Sequence, residues 1–454
     1  GSIEHILVFS YFSKLKLQYE QRGTVMEPRR EEAVQESWFT RLFGCEEKNH
    51  EQIHSVFSLA NDGKNDIILA PNGKRFQAGH FETPSLGELR HRVAELKKKT
   101  GDSEDAVTSQ KNEQKLQVSN IIASVRSLHS QKASGKAVFQ VASQFNCLEF
   151  LNPTQTPEDG IIQYELDHTQ GPSCALACAA STLYRNYFVR LNSFQRCLLP
   201  SQDGSPVGGD ANIPIGQISD RLGQTSDRQL NNIKDLQGLL ETMVGSNLLE
   251  VRNGYTFCND VDALAAKLDA LSEEEVDALR ASCRFGVQWN CEVTDFVPSD
   301  ASGIPATPHL VTQIFCAAVA CGSSTKLRLW RPLAQIILDA AYEATLAVGL
   351  LNAHSQSYGS GSKHIYLTLL GGGVFGNGPK WIEQAVRRSL LLYAESDLVV
   401  NIVHLHHQTP WMQAYRKLAK EYSRNESDDL FRLEDDGTWS KIRDEEDDEE
   451  DDDT

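Results

Sequence analysis

No CxxC pair and no Cys–His spacing suited to zinc occurs among the ten cysteines of this chain. They are scattered through apolar or helical stretches, as at Cys174 and Cys178 or Cys316 and Cys321. The expectation is buried free thiols in a reducing compartment, with no metal. The chain also lacks an uninterrupted apolar run of the roughly 18 residues that a membrane span needs, and no secretory signal is visible. A soluble, cytoplasmic protein without a membrane partner is expected. Clustered basic residues are missing too. The formal charge is −18, and residues 444–453 (DEEDDEEDDD) carry ten acids, so the rest holds −18 + 10 = −8. An acidic body of this kind argues against nucleic acid as a partner, which needs a basic footprint. It leaves room for one small anion, because backbone N–H groups and helix ends bind anions without Lys or Arg.

What is present divides by composition. A hydrophobic content of 40% is enough for a sizeable core. Residues 1–134 are polar and Lys/Glu-rich and read as a small N-terminal α+β module. It has a short strand over Phe76–Glu82, a helix opened by a Ser85/Glu88 capping box, and an amphipathic helix around Val118–Leu128. Residues 135–423 alternate apolar strands with long helices. The strand candidates are Ala137–Val141, Phe285–Val293, Val311–Val319, Ile365–Leu370 and Leu398–Val403; the helix candidates are Cys174–Leu191, Pro332–Asn352 and Lys380–Ala394. This alternation predicts an α/β fold, a mixed or parallel sheet covered by helices. Within it, Ser201–Leu271 reads as a polar, partly helical insertion. Residues 424–454 form an acidic tail that is expected to be disordered, since it cannot bury enough apolar surface to offset ordering entropy.

The densest chemical signal is Gly371-Gly372-Gly373-Val374-Phe375-Gly376-Asn377, set between the strand Ile365–Leu370 and a helix that Pro379 opens. Glycines let a backbone approach an anion and turn successive N–H groups toward phosphate oxygens. The helix start adds partial positive charge, and Phe375 can pack on a ribose or base. The bland alternative is a tight turn whose glycines only relieve strain, but three consecutive glycines plus Gly376 exceed what one turn needs. Gly371, Gly373 and Gly376 also fit GxGxxG. That motif normally opens a nucleotide domain and is followed by an acid at the end of the second strand. Here one further strand remains, and Asn401–His407 offers no acid. No Gly-Lys-Ser/Thr follows, so the Walker A alternative fails as well.

A second loop, Asp167-His168-Thr169-Gln170-Gly171-Pro172, precedes a helix that Asp167 or Thr169 can cap. Upstream, Gln144 and Asn146 end a strand with amides able to contact a ribose. Acid–base chemistry is best sought in Phe285–Asp295, where Trp289 and Val293 should share one face and Asn290, Glu292 and Thr294 the other, with Asp295 at the end. Gln313 and Glu343 are secondary polar candidates inside apolar runs. His404, His406 and His407 offer weak metal spacing. Cys174 sits near a helix start, which would lower its pKa, but has no identifiable base.

Together ASQFNCLEF, DHTQGPSCALACAASTLYRNYF, CEVTD, HLVTQIFCAA, LDAAYEATL and YLTLLGGGVFGN resemble a family of macrodomain-like ADP-ribosyl hydrolases. That family includes an effector acting on ADP-ribosylated ubiquitin and is distantly related to poly(ADP-ribose) glycohydrolases. The similarity spans about residues 30–405. The resemblance implies a macrodomain-like α/β/α sandwich with ADP-ribose in a cleft at strand C-terminal ends. The loop Gly371–Asn377 would hold the diphosphate, with Gln144, Asn146, Thr169, Gln170 and Gly171 around the distal ribose. Two departures stand out. No Gln-Glu-Glu signature of poly(ADP-ribose) glycohydrolases occurs, and Asn290 follows Trp289 where relatives carry an acid. The expected activity is removal of ADP-ribose from a mono-ADP-ribosylated protein side chain, arginine first, with ubiquitin as one candidate partner and no cofactor. Asp295, Glu292 and Asp167, in that order, are the catalytic candidates. The competing classes are a non-catalytic ADP-ribose reader and a Rossmann oxidoreductase.

Overall fold

The computed structural model describes residues 36–100, 116–191, 222–245, 248–294, 308–354, 361–405, 412–422, 430–434 and 436–442. In chain order it begins with α1 (Trp38–Phe43), α2 (His50–Val56), β1 (Ser58–Asn61), β2 (Asp66–Leu69), β3 (Arg75–Glu82) and α3 (Leu86–Thr100). Next come β4 (Gln117–Ile122), α4 (Val125–Ser130), β5 (Val138–Ser143), α5 (Gln170–Ala177), α6 (Ala179–Leu183) and α7 (Lys234–Val244). A hairpin of β6 (Leu249–Arg252) and β7 (Tyr255–Cys258) precedes α8 (Val261–Asp269), α9 (Glu273–Ser282), β8 (Gly286–Glu292) and β9 (Leu310–Ala317). The last elements are α10 (Arg331–His354), β10 (His364–Leu367), α11 (Pro379–Leu392), β11 (Val399–His404), α12 (Met412–Tyr422), β12 (Leu430–Leu433) and β13 (Trp439–Ile442).

Among the described residues, eleven strands form one mixed sheet in the order β1-β2-β3-β8-β9-β5-β10-β11-β4-β12-β13. From β9 to β12 every neighbouring pair is parallel, and the strands outside that block pair antiparallel. Parallel strands need both faces covered, and side chains alternating along each strand feed two cores. Val400 and Ile402 of β11 join the core beneath α3 and α7–α12, whereas Val403 joins the opposite core beneath α1, α2 and α4–α6. The expected α/β/α arrangement with a mixed sheet is thus what the chain forms.

Several expectations change. The sheet crosses residue 134, because β3 pairs with β8 and β4 lies between β11 and β12. The composition change there therefore separates no layer. The helix expected around Val118–Leu128 is instead β4 followed by the short α4. Local periodicity favoured a helix, but pairing on both edges and the β-branched Val118, Ile121 and Ile122 favour a strand. The Ser85/Glu88 capping box forms as expected, with Glu88 N–H donating to Ser85 Oγ at 3.1 Å and Ser85 N–H to Glu88 Oε2 at 2.7 Å. The helix expected over Cys174–Leu191 is broken at Cys178 (φ −121°, ψ 59°) into α5, α6 and a wider π-type turn, Tyr184–Phe188. Beyond residue 424, the expected disorder gives way at Leu430 and Leu433, which are buried and carry β12 onto β4. The acidic run 444–453 lies outside the described residues. The segment Leu327–His354 is long and apolar enough to cross a membrane by length and composition, and 94% of its apolar window is buried inside this fold.

One irregularity redirects a candidate segment. Asn290 has φ +54° and the β8–β9 register shifts between Gln288 and Cys291. The bulge turns Val287 and Trp289 into one core and Cys291 and Val293 into the other. Trp289 and Val293 therefore do not share a face. Asn tolerates this left-handed backbone well, which gives Asn290 a structural reason to follow the tryptophan. Gly79 on β3 accommodates the bulge, because a Cβ there would lie 2.1 Å from the Trp289 carbonyl oxygen.

Candidate functional site

The parallel block sends the chain exits of β4, β11 and β10 to one edge of the sheet, and a cleft of about 300 Å³ opens there. Ala123–Val125 after β4 and Val403–Leu405 at the end of β11 form one side. Thr368, Leu369, Gly372 and Gly373 after β10 line it, as do His168, which precedes α5, and Gln170 and Ser173 of α5. Two loops roughly two hundred residues apart in sequence therefore meet across one cleft, as α/β topology favours at strand C-terminal ends.

The glycine loop separates into structural and open positions. Gly371 (φ +72°) and Gly376 (φ +69°) occupy left-handed backbone, and added Cβ atoms would lie 2.6 Å from Ala318 Cβ and 2.4 Å from Gly322 Cα respectively. Those two glycines shape the turn. Gly373 differs: its φ is not positive, and a Cβ there would meet nothing within 4 Å. Folding alone gives no reason for glycine at 373, whereas a ligand pressed against the backbone does. The N–H groups of Gly372, Gly376 and Asn377 donate within the loop, to the carbonyls of Leu369, Gly373 and Gly371. Among the described residues no backbone acceptor takes those of Gly373, Val374 and Phe375. Asn377 is a strut, donating from Nδ2 to the Val319 carbonyl at 2.8 Å. Val374 is partly exposed, and the Phe375 carbonyl accepts from Cys321 N–H at 3.0 Å.

The second loop is docked by Gln170. Beyond Phe139 no β10 residue pairs with β5, and Gln170 takes the place of a strand there. Its Oε1 accepts from Ala142 N–H at 2.7 Å and its Nε2 donates to the Gln140 carbonyl at 2.6 Å. Gly171 permits this approach, since a Cβ would lie 2.0 Å from the Ala142 carbonyl oxygen. Thr169 is at the N-cap position of α5 but makes no side-chain cap. Asp167 Oδ1 accepts from Thr169 N–H at 2.8 Å. The first turn of α5 thus begins beside the glycine loop, and the N–H groups of Gln170 and Gly171, which no described backbone carbonyl accepts, lie at this helix start with its partial positive charge.

Other candidates are used elsewhere. Gln144 is buried, donating to the Phe150 carbonyl at 2.8 Å and accepting from Phe150 N–H at 2.9 Å. Asn146 is fully buried between Gln229 and Leu148 N–H. Both amides brace the loop and are not open to a ribose. Glu292 accepts from Gln77 N–H at 2.8 Å, and burial raises its pKa. It pairs with Leu310 at the start of β9, seven residues before Ala317 at the cleft end, or about 23 Å at ~3.3 Å per residue. Glu292 is not part of the cleft. Asp295 lies outside the described residues; its predecessor Thr294 is held at the far end of α5, donating N–H to the Ala177 carbonyl at 2.8 Å. Among the described residues no carboxylate lines the cleft, and Asp167, next to cleft-lining His168, is the candidate that remains in place.

His404 lines the cleft while its Nε2 bonds Asn120 Oδ1 at 2.9 Å. Asn120 Nδ2 donates to the Tyr415 carbonyl at 3.0 Å, so Oδ1 faces the imidazole and the Nε2 carries the proton. Burial pushes the pKa of His404 down to about 4. His406 and His407 lie outside the described residues, among which no cluster of His, Cys, Asp and Glu could hold a metal ion. Cys174 is fully buried, and burial pushes its thiol well up, the reverse of the expected activation. Gln313 donates to the Cys174 carbonyl and to His129 inside the core, and Glu343 is ion-paired with Arg90 and Arg388. Neither reaches the cleft. Ser124, Ser173 and Thr368 are polar lining groups with no motif of their own; knowing where β4 and β10 end would have revealed two of them.

No protein-family model and no curated protein matches the chain. Among solved structures it is similar to poly(ADP-ribose) glycohydrolase from Deinococcus radiodurans in complex with ADP-ribose, at 11% identity over 76% of this chain and 95% of that one, with a TM-score of 0.35. The enzyme from Thermomonospora curvata gives 12% identity over 82% and 96%, with a TM-score of 0.33. Another crystal form of the Deinococcus radiodurans complex aligns over 30% of this chain and 52% of that one, at 20% identity and a TM-score of 0.23. At these TM-scores the likeness adds nothing to the site, which stands on its own geometry.

Proposed function

We propose that the cleft binds ADP-ribose and that the protein hydrolyses the bond joining it to a protein side chain. The observation that carries this reading is the convergence of the glycine loop and the first turn of α5 on one cleft. An anion held between them receives N–H groups from both sides, as a diphosphate requires. The apolar side formed by Val125, Val403 and Leu405 suits a base over β4 and β11. The second ribose would then extend over β5 and β9, past His168 toward Asp167. The sequence motifs, which resemble those of ADP-ribosyl hydrolases, support the same ligand.

Hydrolysis breaks the bond between the anomeric carbon and the side-chain nitrogen, and a water oxygen takes its place. Asp167 is the candidate to orient that water and stabilise positive charge on the ribose, and His168 to move a proton. Mono-ADP-ribosyl-arginine is the substrate to assay first, with modified ubiquitin as one carrier. Release of ADP-ribose that falls at least about a hundredfold in Asp167→Asn supports this assignment. Full turnover in that variant, and its loss in Asp295→Ala, would transfer the role to Asp295. The absence of a carboxylate from the described cleft wall favours a second reading, an ADP-ribose reader. Tight ADP-ribose binding with no release from any modified substrate would establish it.

A further inference from the structure

The β6–β7 hairpin stands apart from the main sheet. Its turn is Asn253-Gly254, with φ +48° and +75°, the left-handed pair that tight two-residue hairpins require. The tip lies against the loop that follows β5. The Gly254 carbonyl accepts from Phe145 N–H at 3.0 Å, and a Cβ on Gly254 would lie 2.6 Å from Gln144 Cβ. Gln229 clasps both partners, accepting from Asn146 Nδ2 and donating to Asn253 Oδ1, each at 2.8 Å.

Tyr255, the next residue, reaches two segments at once. Its hydroxyl donates to the Phe150 carbonyl at 3.0 Å and accepts from Gln144 Nε2 at 3.3 Å. Its ring meets Phe375 of the glycine loop, with centroids 5.5 Å apart. Burial raises the pKa of the phenol, and the Asp167 charge adds to the rise. One buried side chain therefore joins the Gln144–Phe150 loop to the glycine loop, beside the catalytic candidate. The Phe375 carbonyl also accepts from Cys321 N–H after β9. This cluster accordingly lies over β5 and β9, beyond the β4–β11 side of the cleft.

We propose that Tyr255 is a positioning residue, which fixes the glycine loop and the Gln144–Phe150 loop at the separation that the second ribose of the ligand requires. The proposal rests on the ADP-ribose reading above and deepens it by assigning a role to the inserted hairpin. Loss of the Tyr255 ring removes the packing partner of the Phe375 ring at the far end of the glycine loop, whereas the side formed by Val125, Val403 and His404 has no contact with the hairpin among those described. The two ends of the ligand should therefore respond differently.

The test is calorimetric titration of the full chain with ADP-ribose and, separately, with AMP, for the unsubstituted protein, Tyr255→Phe and Tyr255→Ala. Tyr255→Ala should weaken ADP-ribose by at least about tenfold while AMP changes by less than about twofold. Tyr255→Phe, which keeps the ring contact, should recover most of the loss. A merely structural defect would weaken both ligands together, and that result overturns the proposal, as does unchanged ADP-ribose affinity in Tyr255→Ala. If Tyr255→Ala does not fold, Tyr255→Leu, which keeps bulk but removes the ring and the hydroxyl, decides: a loss confined to ADP-ribose supports the role, and equal loss of both ligands or no loss refutes it. Failure of the unsubstituted protein to bind ADP-ribose would remove the functional reading itself, and the proposal with it.

Discussion

Gly373 and Gly376 stand three residues apart in one loop and should fail differently when given side chains. Gly376 has φ +69° and Gly322 Cα close against it, so Gly376→Ala should cost roughly 1–3 kcal/mol of stability in urea unfolding. Gly373 has open space around its Cβ position, so Gly373→Val should melt like the unsubstituted protein yet lose ADP-ribose affinity by about tenfold or more. Equal melting losses would mean that both glycines serve only the turn. The same scale governs the pH response of His129. It is fully buried, its Nδ1 donates to the Val125 carbonyl, and burial pushes its pKa from 6.5 to about 4. Between those values the unfolded chain takes up a proton that the folded chain refuses. The stabilisation is complete above pH 6.5 and is lost as pH falls toward 4. Relative to His129→Gln, the unsubstituted protein should lose up to about 1.4 kcal/mol per pH unit in that window. Parallel stability curves for the two proteins would contradict it.

At the scale of elements, the loop between β5 and α5 is anchored by a buried ion pair. Glu149 and Arg185 are 3.2 Å apart with no side-chain exposure, and the guanidinium also donates to the Cys147 carbonyl and to Ser181, with Phe315 beneath it at 3.8 Å. Burial pushes the Glu149 pKa up to about 7, against the pull of Arg185. Glu149→Gln keeps the shape but leaves a buried cation uncompensated, and should cost roughly 3–5 kcal/mol by chemical denaturation. A loss under about 1 kcal/mol would show that the pair is not needed. Much at this scale was readable from sequence. The strand leading into Gly371 and the helix opened by Pro379 follow from local apolar runs and end signals. The roles of Gln170 and Asn290 were not readable, because both depend on a partner strand: Gln170 completes the edge of β5, and Asn290 makes the bulge of β8. β4 was misread for a related reason, since its identity comes from two neighbours distant in sequence. Asn253-Gly254 was a local hairpin signal hidden within a segment read only as a polar insertion.

At the scale of the whole molecule, one sheet joins the first described strand to the last. Leu430 brings β12 against Ile122 and Met412, so the C-terminal hairpin covers the edge of β4, the strand whose exit borders the cleft. Leu430→Ala should lower stability by about 2–4 kcal/mol, read as a lower melting temperature, while a hairpin that only decorates the surface would leave it unchanged. The layers α3, α9, α10 and α11 are tied by Arg90 and Arg388 on Glu343 and by Arg280 on Asp339, and all these contacts lie on the face opposite α5. The cleft thus sits on the edge of a braced sheet, and its two anion-facing loops are set by separate halves of the chain. The most direct measurement of the central claim is calorimetric titration of the full chain with ADP-ribose and with NAD. A single ADP-ribose site that Gly373→Val weakens by about tenfold or more, with NAD bound to the unsubstituted protein at least about tenfold more weakly than ADP-ribose, is the expected result. Tight NAD binding without ADP-ribose binding, or ADP-ribose binding indifferent to Gly373→Val, would contradict the account.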